Sequence, residues 1–256
     1  MVRKISWIIA IAGIAALSLF LIKNEGPGLR WEPEGLYLDL NFRDLGKSLN
    51  VCLAARQKDP VLAEGTFLRA NKWFSGWSCD KVGSPDAILS LNYQPEKDRY
   101  YYCDGPERII GEIPGTSLEL NNIEFLETWD QPEQKKLICQ SFTTAMEKVT
   151  HNKRLLIHCE AGRDRTGAVS ALLGGLALES HPEFSHEDIL AAVECDYIKS
   201  DSLSENKYGR MDRFLRRIWE REQSIGEFLR SRCDTDPQLI KDFQSKMTGT
   251  KKAAIN

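Results

Sequence analysis

The segment from Arg154 to Gly174 restricts the fold more than any other. An apolar run, Leu155-Leu156-Ile157, enters a compact polar loop from His158 to Thr166, and the chain leaves it through small apolar residues from Gly167 to Leu178. A short apolar run bounded by turn residues and followed by a helix-length apolar segment reads as strand, loop and buried helix. Within the loop, five residues separate Cys159 from Arg165. That spacing lets backbone amides and the Arg165 guanidinium converge on one tetrahedral oxyanion at a helix start. A free thiol titrates near about 8.5, and a helix N-terminus with a fixed cation beside it favours the thiolate. Cys159 is therefore the candidate nucleophile. Arg165 offers a planar fork for two phosphoryl oxygens, which a lysine point charge matches less well. Gly162 permits the turn beneath a ligand. Thr166 places a hydroxyl near a departing sulfur, and Gly167 suits a close approach between helix start and strand.

A bare Cys-x5-Arg spacing is common by chance, and a buried inert cysteine is the plain alternative. The whole constellation weighs against it. His158-Cys159-Glu160-Ala161-Gly162-Arg163-Asp164-Arg165-Thr166-Gly167 resembles the active-site loop of the cysteine-dependent protein tyrosine phosphatase superfamily. The Asp directly before the loop arginine, with Asn41-Phe42-Arg43-Asp44-Leu45-Gly46 upstream, is similar to the bacterial tyrosine and phosphoinositide phosphatase branch, related to dual-specificity enzymes. Gly65-Thr66-Phe67-Leu68-Arg69-Ala70 resembles that family's strand after the first motif, and Asp196-Tyr197-Ile198-Lys199-Ser200 its segment in a helix beyond the loop. Where the family usually has a strand ending in Asp-Leu-Arg, this chain has Ile88-Leu89-Ser90-Leu91-Asn92, with no arginine there for a substrate contact. The resemblance covers about residues 39 to 202. It implies a three-layer α/β phosphatase fold, with a central mostly parallel sheet flanked by helices and the ligand loop at a strand's carboxyl end. It also implies catalysis by Cys159, Arg165 and Thr166, with His158, Glu160, Ala161, Gly162 and Arg163 around the substrate and no cofactor or metal.

An alkoxide or phenoxide leaves badly, so the reaction needs a carboxylic acid near the loop. Asp164 lies within the loop, at the position that supplies the acid in the branch it resembles. Asp130 lies ahead of a helix expected over Glu133 to Thr150, where most of the superfamily keeps a mobile acid; it also suits a helix N-terminal carboxylate stabilised by the dipole. Both stay open. Glu160 is expected to turn into solvent or toward Arg163. Arg163 reads either as a second positive charge at the rim, which favours inositol phosphates or phosphoinositides, or as a solvated arginine. The expected function is a phosphoric monoester hydrolase acting on phosphotyrosine or dual-specificity protein substrates, with inositol-lipid or inositol phosphate substrates as the alternative. Two further alternatives are a catalytically silent module that binds phosphorylated ligands and a membrane scaffold with a vestigial loop.

Ile5 to Ile22 carries no charge over eighteen residues, between Arg3-Lys4 and Lys23. It is long enough to cross a bilayer as a helix and reads as an N-terminal transmembrane anchor over 1–23, with a cleaved signal as the alternative. The positive-inside rule puts the catalytic part on the non-cytoplasmic side. A Pro/Gly-containing linker over 24–35, a phosphatase domain over 36–247 and a disordered tail over 248–256 complete the expected organisation. The chain has 256 residues and a formal net charge of −3 with no long basic block, which argues against a nucleic-acid partner. Strands are expected at Leu38 to Phe42, Pro60 to Leu68, Ala87 to Leu91, Arg99 to Tyr102, Ile109 to Ile113 and Ser117 to Leu120, with Trp73, Phe74 and Trp77 as packing residues. Ser185 is expected to cap a helix running through Asp196, and Asp236-Pro237 one running to Met247. One helix is expected from Glu205 to about Arg232, with Arg210, Arg213, Arg217 and Arg221 as a basic stripe that reads as a solvated face balanced by Asp212, Glu220 and Glu222, or alternatively as a face toward anionic lipid or substrate. Seven cysteines without a Cys-x2-Cys pair argue against zinc. If the domain is exported, Cys159 stays reduced, and Cys79 with Cys103 is the best pair for a bridge among the other six.

Overall fold

The apolar triplet Leu155-Leu156-Ile157 forms the middle of the central sheet. The structure, a computed structural model, describes residues 31–32, 35–36, 41–72, 79–91, 103, 105–111, 132–200 and 208–249. Strands β1 (Trp31–Glu32) and β2 (Gly35–Leu36) pair as a small antiparallel ribbon. The main sheet contains β3 (Arg43–Asp44), β4 (Phe67–Ala70), β5 (Ala87–Ser90), β6 (Glu107–Ile110) and β7 (Leu155–His158), in the order β3-β4-β7-β5-β6. Only β3 runs antiparallel to its neighbour. Every residue of β4, β5 and β7 is buried, as expected of parallel strands covered on both faces. His158 is in register with Ala70 and Ser90, so three strands end side by side where the polar loop begins.

Alternation along β7 sends Leu155 and Ile157 into the main core and Leu156 into a smaller cluster with Leu68, Ile88 and Val82. Seven helices contribute to the main core among the described residues: α1 (Leu45–Ala54), α2 (Pro132–Thr150), α3 (Asp164–Leu178), α4 (His186–Ile198), α5 (Arg210–Arg221), α6 (Ile225–Cys233) and α7 (Pro237–Met247). Helix α3 is buried from Thr166 to Leu178, its small residues letting neighbouring helices close around it. The second cluster is covered by the 3₁₀ turn Cys79–Val82 and by Cys103.

Helix α1 has no counterpart in the sequence reading. Asp44 caps it by accepting from the Lys47 amide at 3.1 Å, and Leu45, Leu49, Cys52 and Leu53 make its buried face. The strand expected over Pro60 to Leu68 starts only at Phe67. The α1 side chain of Asn50 accepts from the amides of Val61 (3.2 Å) and Leu62 (3.0 Å), satisfying backbone that would otherwise need a ladder. Of the strand expected over Leu38 to Phe42, residues 38–40 lie outside the described residues; Asn41, with a φ of +49°, and Phe42 precede β3, which starts at Arg43. The single helix expected over Glu205 to Arg232 is two: Ser224 caps α6, and Glu179 accepts from the Ile225 amide, making a break that side-chain periodicity does not reveal. Strand β6 stops at Ile110, short of the expected Ile113.

The expectations at Ile5 to Ile22, Arg99 to Tyr102, Ser117 to Leu120, Trp73, Phe74 and Trp77, and in the tail beyond Gly249, lie outside the described residues. Among the described residues no helix is long and apolar enough to cross a membrane. Six cysteines form three disulfides: Cys79–Cys103 as expected, Cys52–Cys195 joining α1 to α4, and Cys139–Cys233 joining α2 to α6. Cys159 is the free thiol.

Candidate active site

Cys159 follows the last residue of β7, and Asp164 opens α3, so the loop spans the gap between the central strand and the N-terminus of the buried helix. Gly162 makes this tight turn possible. Its φ is +67°, and a Cβ there would lie 2.7 Å from the Ala70 carbonyl and the Asn71 nitrogen. The loop's carbonyls are engaged by the framework around it. The His158 carbonyl accepts from the Leu91 amide (2.8 Å) and the Glu160 carbonyl from the Lys72 amide (3.1 Å). The Ala161 carbonyl accepts from Asn41 Nδ2 (2.8 Å), and the Gly162 carbonyl from Arg69 Nη2 (2.8 Å). Oxygens that would repel an anion are thereby tied to strand ends, which suits the loop to an anionic ligand.

The segments around Arg43, Arg69 and Asp196 meet beneath this loop. Asp196 is buried and ion-paired to Arg69 Nη1 through Oδ2 and to Arg43 Nε through Oδ1, the latter at 2.9 Å. Arg43 Nη2 also donates to the Asp196 carbonyl and to Ser200 Oγ, both at 2.9 Å. Burial pushes the Asp196 carboxyl up, but the Arg69 and Arg43 charges outweigh it and hold it at about 2. Burial and the Arg43 charge lower Arg69 to about 10, against the pull of Asp196 and Cys159. Two guanidiniums face one carboxylate, so the network carries a net positive charge, and Arg69 places it within the field of the Cys159 sulfur. That favours a phosphoryl dianion in the loop above.

Cys159 is 4% exposed at the base of the loop. Arg165 lies in the first turn of α3, and its buried Nε makes no hydrogen bond to the described residues. Thr166 likewise has a buried, unbonded Oγ1. His158 is wholly buried; burial first, then the charge of Lys72, lowers it to about 4 despite the nearby Cys159 carbonyl, so its ring is neutral at pH 7. Ala161 is half-buried. Arg163 is buried, not a solvated surface arginine. Glu160 remains half exposed and pairs with Lys72, not with Arg163. Asp164 Oδ1 accepts from the Tyr197 hydroxyl at 2.5 Å and lies 3.4 Å from Arg210 Nη1. Asp130 lies outside the described residues.

Arg43, Arg69 and Asp196 lie in segments that resemble the family, but their roles are not legible in the sequence. Lys72 carried no signal. Arg210 belongs to the basic stripe read first as a solvated face and alternatively as facing lipid or substrate; the fold turns it onto Asp164 of the loop. The close approach expected of Gly167 is to Tyr197, not to the strand: a Cβ there would lie 2.9 Å from the Tyr197 ring.

Comparison with curated proteins gives no match. Residues 124–249 match the sequence model of the tyrosine phosphatase family. That span holds the Cys159 to Arg165 loop, the helix it opens and the Tyr197 and Arg210 side chains turned onto it, and it supports assigning the chain to the cysteine-dependent protein tyrosine phosphatase superfamily.

Proposed function

We propose that this phosphatase hydrolyses phosphoric monoesters through a phosphocysteine intermediate and that its substrates are phosphotyrosine proteins. The carrying observation is the single free thiol, Cys159, held between a central strand end and a helix N-terminus above the net-positive Arg43, Asp196 and Arg69 network. In the first step the Cys159 sulfur attacks phosphorus, the bond from phosphorus to the ester oxygen breaks, and Asp164 gives its proton to that oxygen. Arg165 holds the equatorial phosphoryl oxygens throughout. In the second step water attacks the phosphocysteine, Asp164 takes the water proton, and the sulfur leaves as thiolate with the Thr166 hydroxyl beside it. Phosphate departs and the loop is restored.

The match to the tyrosine phosphatase family supports phosphotyrosine over inositol phosphates. The three disulfides support work in an oxidising compartment, with the Ile5 to Ile22 segment as a tether and the catalytic domain on the non-cytoplasmic side.

The test uses the full chain with an aryl phosphate and no added metal. Phosphate release is expected, and Cys159→Ser should abolish it while still binding substrate. Activity surviving in Cys159→Ser, or a requirement for a divalent metal, would overturn the reading. A rate with phosphoinositides far above that with phosphotyrosine peptides would transfer the substrate assignment to the inositol lipids.

A further inference from the structure

Asp164 sits where three helices meet. It is the first residue of α3, Tyr197 reaches it from α4, and Arg210 from the first position of α5. The Tyr197 hydroxyl donates to Asp164 Oδ1 at 2.5 Å, and Arg210 Nη1 lies 3.4 Å from the same oxygen.

We propose that Tyr197 and Arg210 are positioning residues that orient the Asp164 carboxyl group and set the pH range over which it can deliver a proton. This rests on the reading of Asp164 as the proton donor. Both of these contacts fall on Oδ1, and together they hold that oxygen from two neighbouring helices.

Each partner is itself held. Tyr197 is fully buried, with its ring against Gly167 in the first turn of α3. Burial and the Asp164 charge push its hydroxyl well above the ordinary phenol range, so it stays a donor across the working pH. Arg210 is largely buried, and the turn that carries it is fastened by Glu194 on α4. The Glu194 carboxylate accepts from the amides of Gly209 (2.6 Å), Met211 (3.0 Å) and Asp212 (3.2 Å), satisfying the start of α5. Glu194 and Tyr197 are successive turns of one helix, so α4 fixes both groups relative to the loop.

Among the described residues, the charged or titratable groups near Asp164 on the elements packed together there include Tyr197 and Glu194 on α4, Arg210 on α5, and Cys159, Arg163 and Arg165 on its own loop and helix start. Tyr197 and Arg210 touch the carboxylate itself, and a hydrogen-bond donor and a cation there both favour its charged form. A general acid works only while protonated, so the basic limb of the rate profile reports its loss of the proton. Removing Arg210 or the Tyr197 hydroxyl makes the proton harder to lose and carries that limb to higher pH.

The experiment measures kcat/KM against pH for the full chain, with phenyl phosphate and with 4-nitrophenyl phosphate. For phenyl phosphate, the basic limb should move up by about one pH unit or more in Arg210→Gln and by less in Tyr197→Phe, and it should return in Arg210→Lys. The 4-nitrophenyl ester, whose leaving group needs little help, should respond weakly. Equal loss of rate at every pH for both esters, with the limb in place, would mean that the two residues only support the fold and would overturn the inference. Tyr197→Phe keeps the ring packed on Gly167, so it remains informative where Arg210→Gln folds poorly. Asp164→Asn separates the two levels. If it abolishes the dependence on leaving-group pKa while the Arg210 and Tyr197 variants leave the limb unmoved, only this inference fails. If it leaves that dependence intact, the donor reading fails and takes this inference with it.

Discussion

Gly162 shows how one residue can carry both the conformation and the packing of the catalytic loop. Its left-handed backbone is poorly tolerated by other residues, and the end of β4 leaves no room for a methyl group. The Ala70 carbonyl and the Asn71 nitrogen are backbone atoms in a buried strand end, so they cannot swing aside as a flexible side chain would. Gly162→Ala is therefore expected to cost about 1–3 kcal/mol of stability, the range for a strained backbone position, and to lower kcat/KM by more than that loss explains. Urea unfolding and steady-state kinetics on the same sample check this; unchanged activity would mean that the loop absorbs the methyl group without moving its amides. Much of the site at this scale was legible in the sequence. Cys159, Arg165 and Gly162 declare themselves because their spacing is local and their chemistry is unusual in combination. Lys72 and the role of Arg210 were not legible, since an ion pair across 88 or 46 residues leaves no trace in spacing.

At the scale of elements, α1 and α4 enclose the support beneath the loop. Arg43 directly precedes the α1 cap, Asp196 lies in α4, and the Cys52–Cys195 disulfide joins the two helices one residue before Asp196. Losing this bridge should act twice. It frees a long loop in the unfolded chain, which costs about 2–5 kcal/mol. It also loosens the helix that presents Asp196 and Tyr197, so the Cys52→Ala, Cys195→Ala double variant should lose activity at temperatures where it is still folded. The control is the Cys79→Ala, Cys103→Ala double variant, whose bridge lies against the opposite face of the sheet and should change stability with little change in kcat. Equal kinetic effects from the two would remove any special role for Cys52–Cys195. The strand, loop and helix from Arg154 to Leu178 could be read because their apolar pattern is continuous. Helix α1 escaped because its ten residues mix polar and apolar character and its cap, Asp44, sits inside a segment quoted for another reason. The Glu222 to Ser224 break escaped because it is held by Glu179, over forty positions away.

For the whole molecule, two buried groups beneath the loop make global stability depend on acid. His158 is held neutral, at about 4 in the folded chain against an ordinary value near 6.5. Below about pH 6.5 the unfolded chain takes up a proton that the folded one refuses. The contribution of His158 is therefore fully present above pH 6.5 and is lost as pH falls toward 4. Asp196, at about 2 when folded against an ordinary value of 3.8, acts in the next window: its contribution is present above that ordinary value and lost as pH falls through about 2. Each shift corresponds to roughly 2–3 kcal/mol at full expression. Glu179 runs the other way. Burial raises its carboxyl despite the bonds from Ile225 and Trp219, so the folded chain holds that proton more readily and gains stability in acid. The expected curve for the wild-type chain is thus a decline beginning near pH 6.5, earlier than carboxylates alone would give. Comparing urea midpoints of wild type and His158→Gln at intervals from pH 7 to pH 4 isolates the first window. A pH-independent packing penalty from the glutamine displaces the whole curve, and the Glu179 contribution is common to both chains, so only the slope between pH 6.5 and 4 reports the His158 proton. That slope should be shallower in His158→Gln. Parallel curves across the window would show that His158 takes up its proton as readily in the folded chain as in the unfolded one, and that neither burial nor the Lys72 charge disfavours the imidazolium at the strand end where the loop begins.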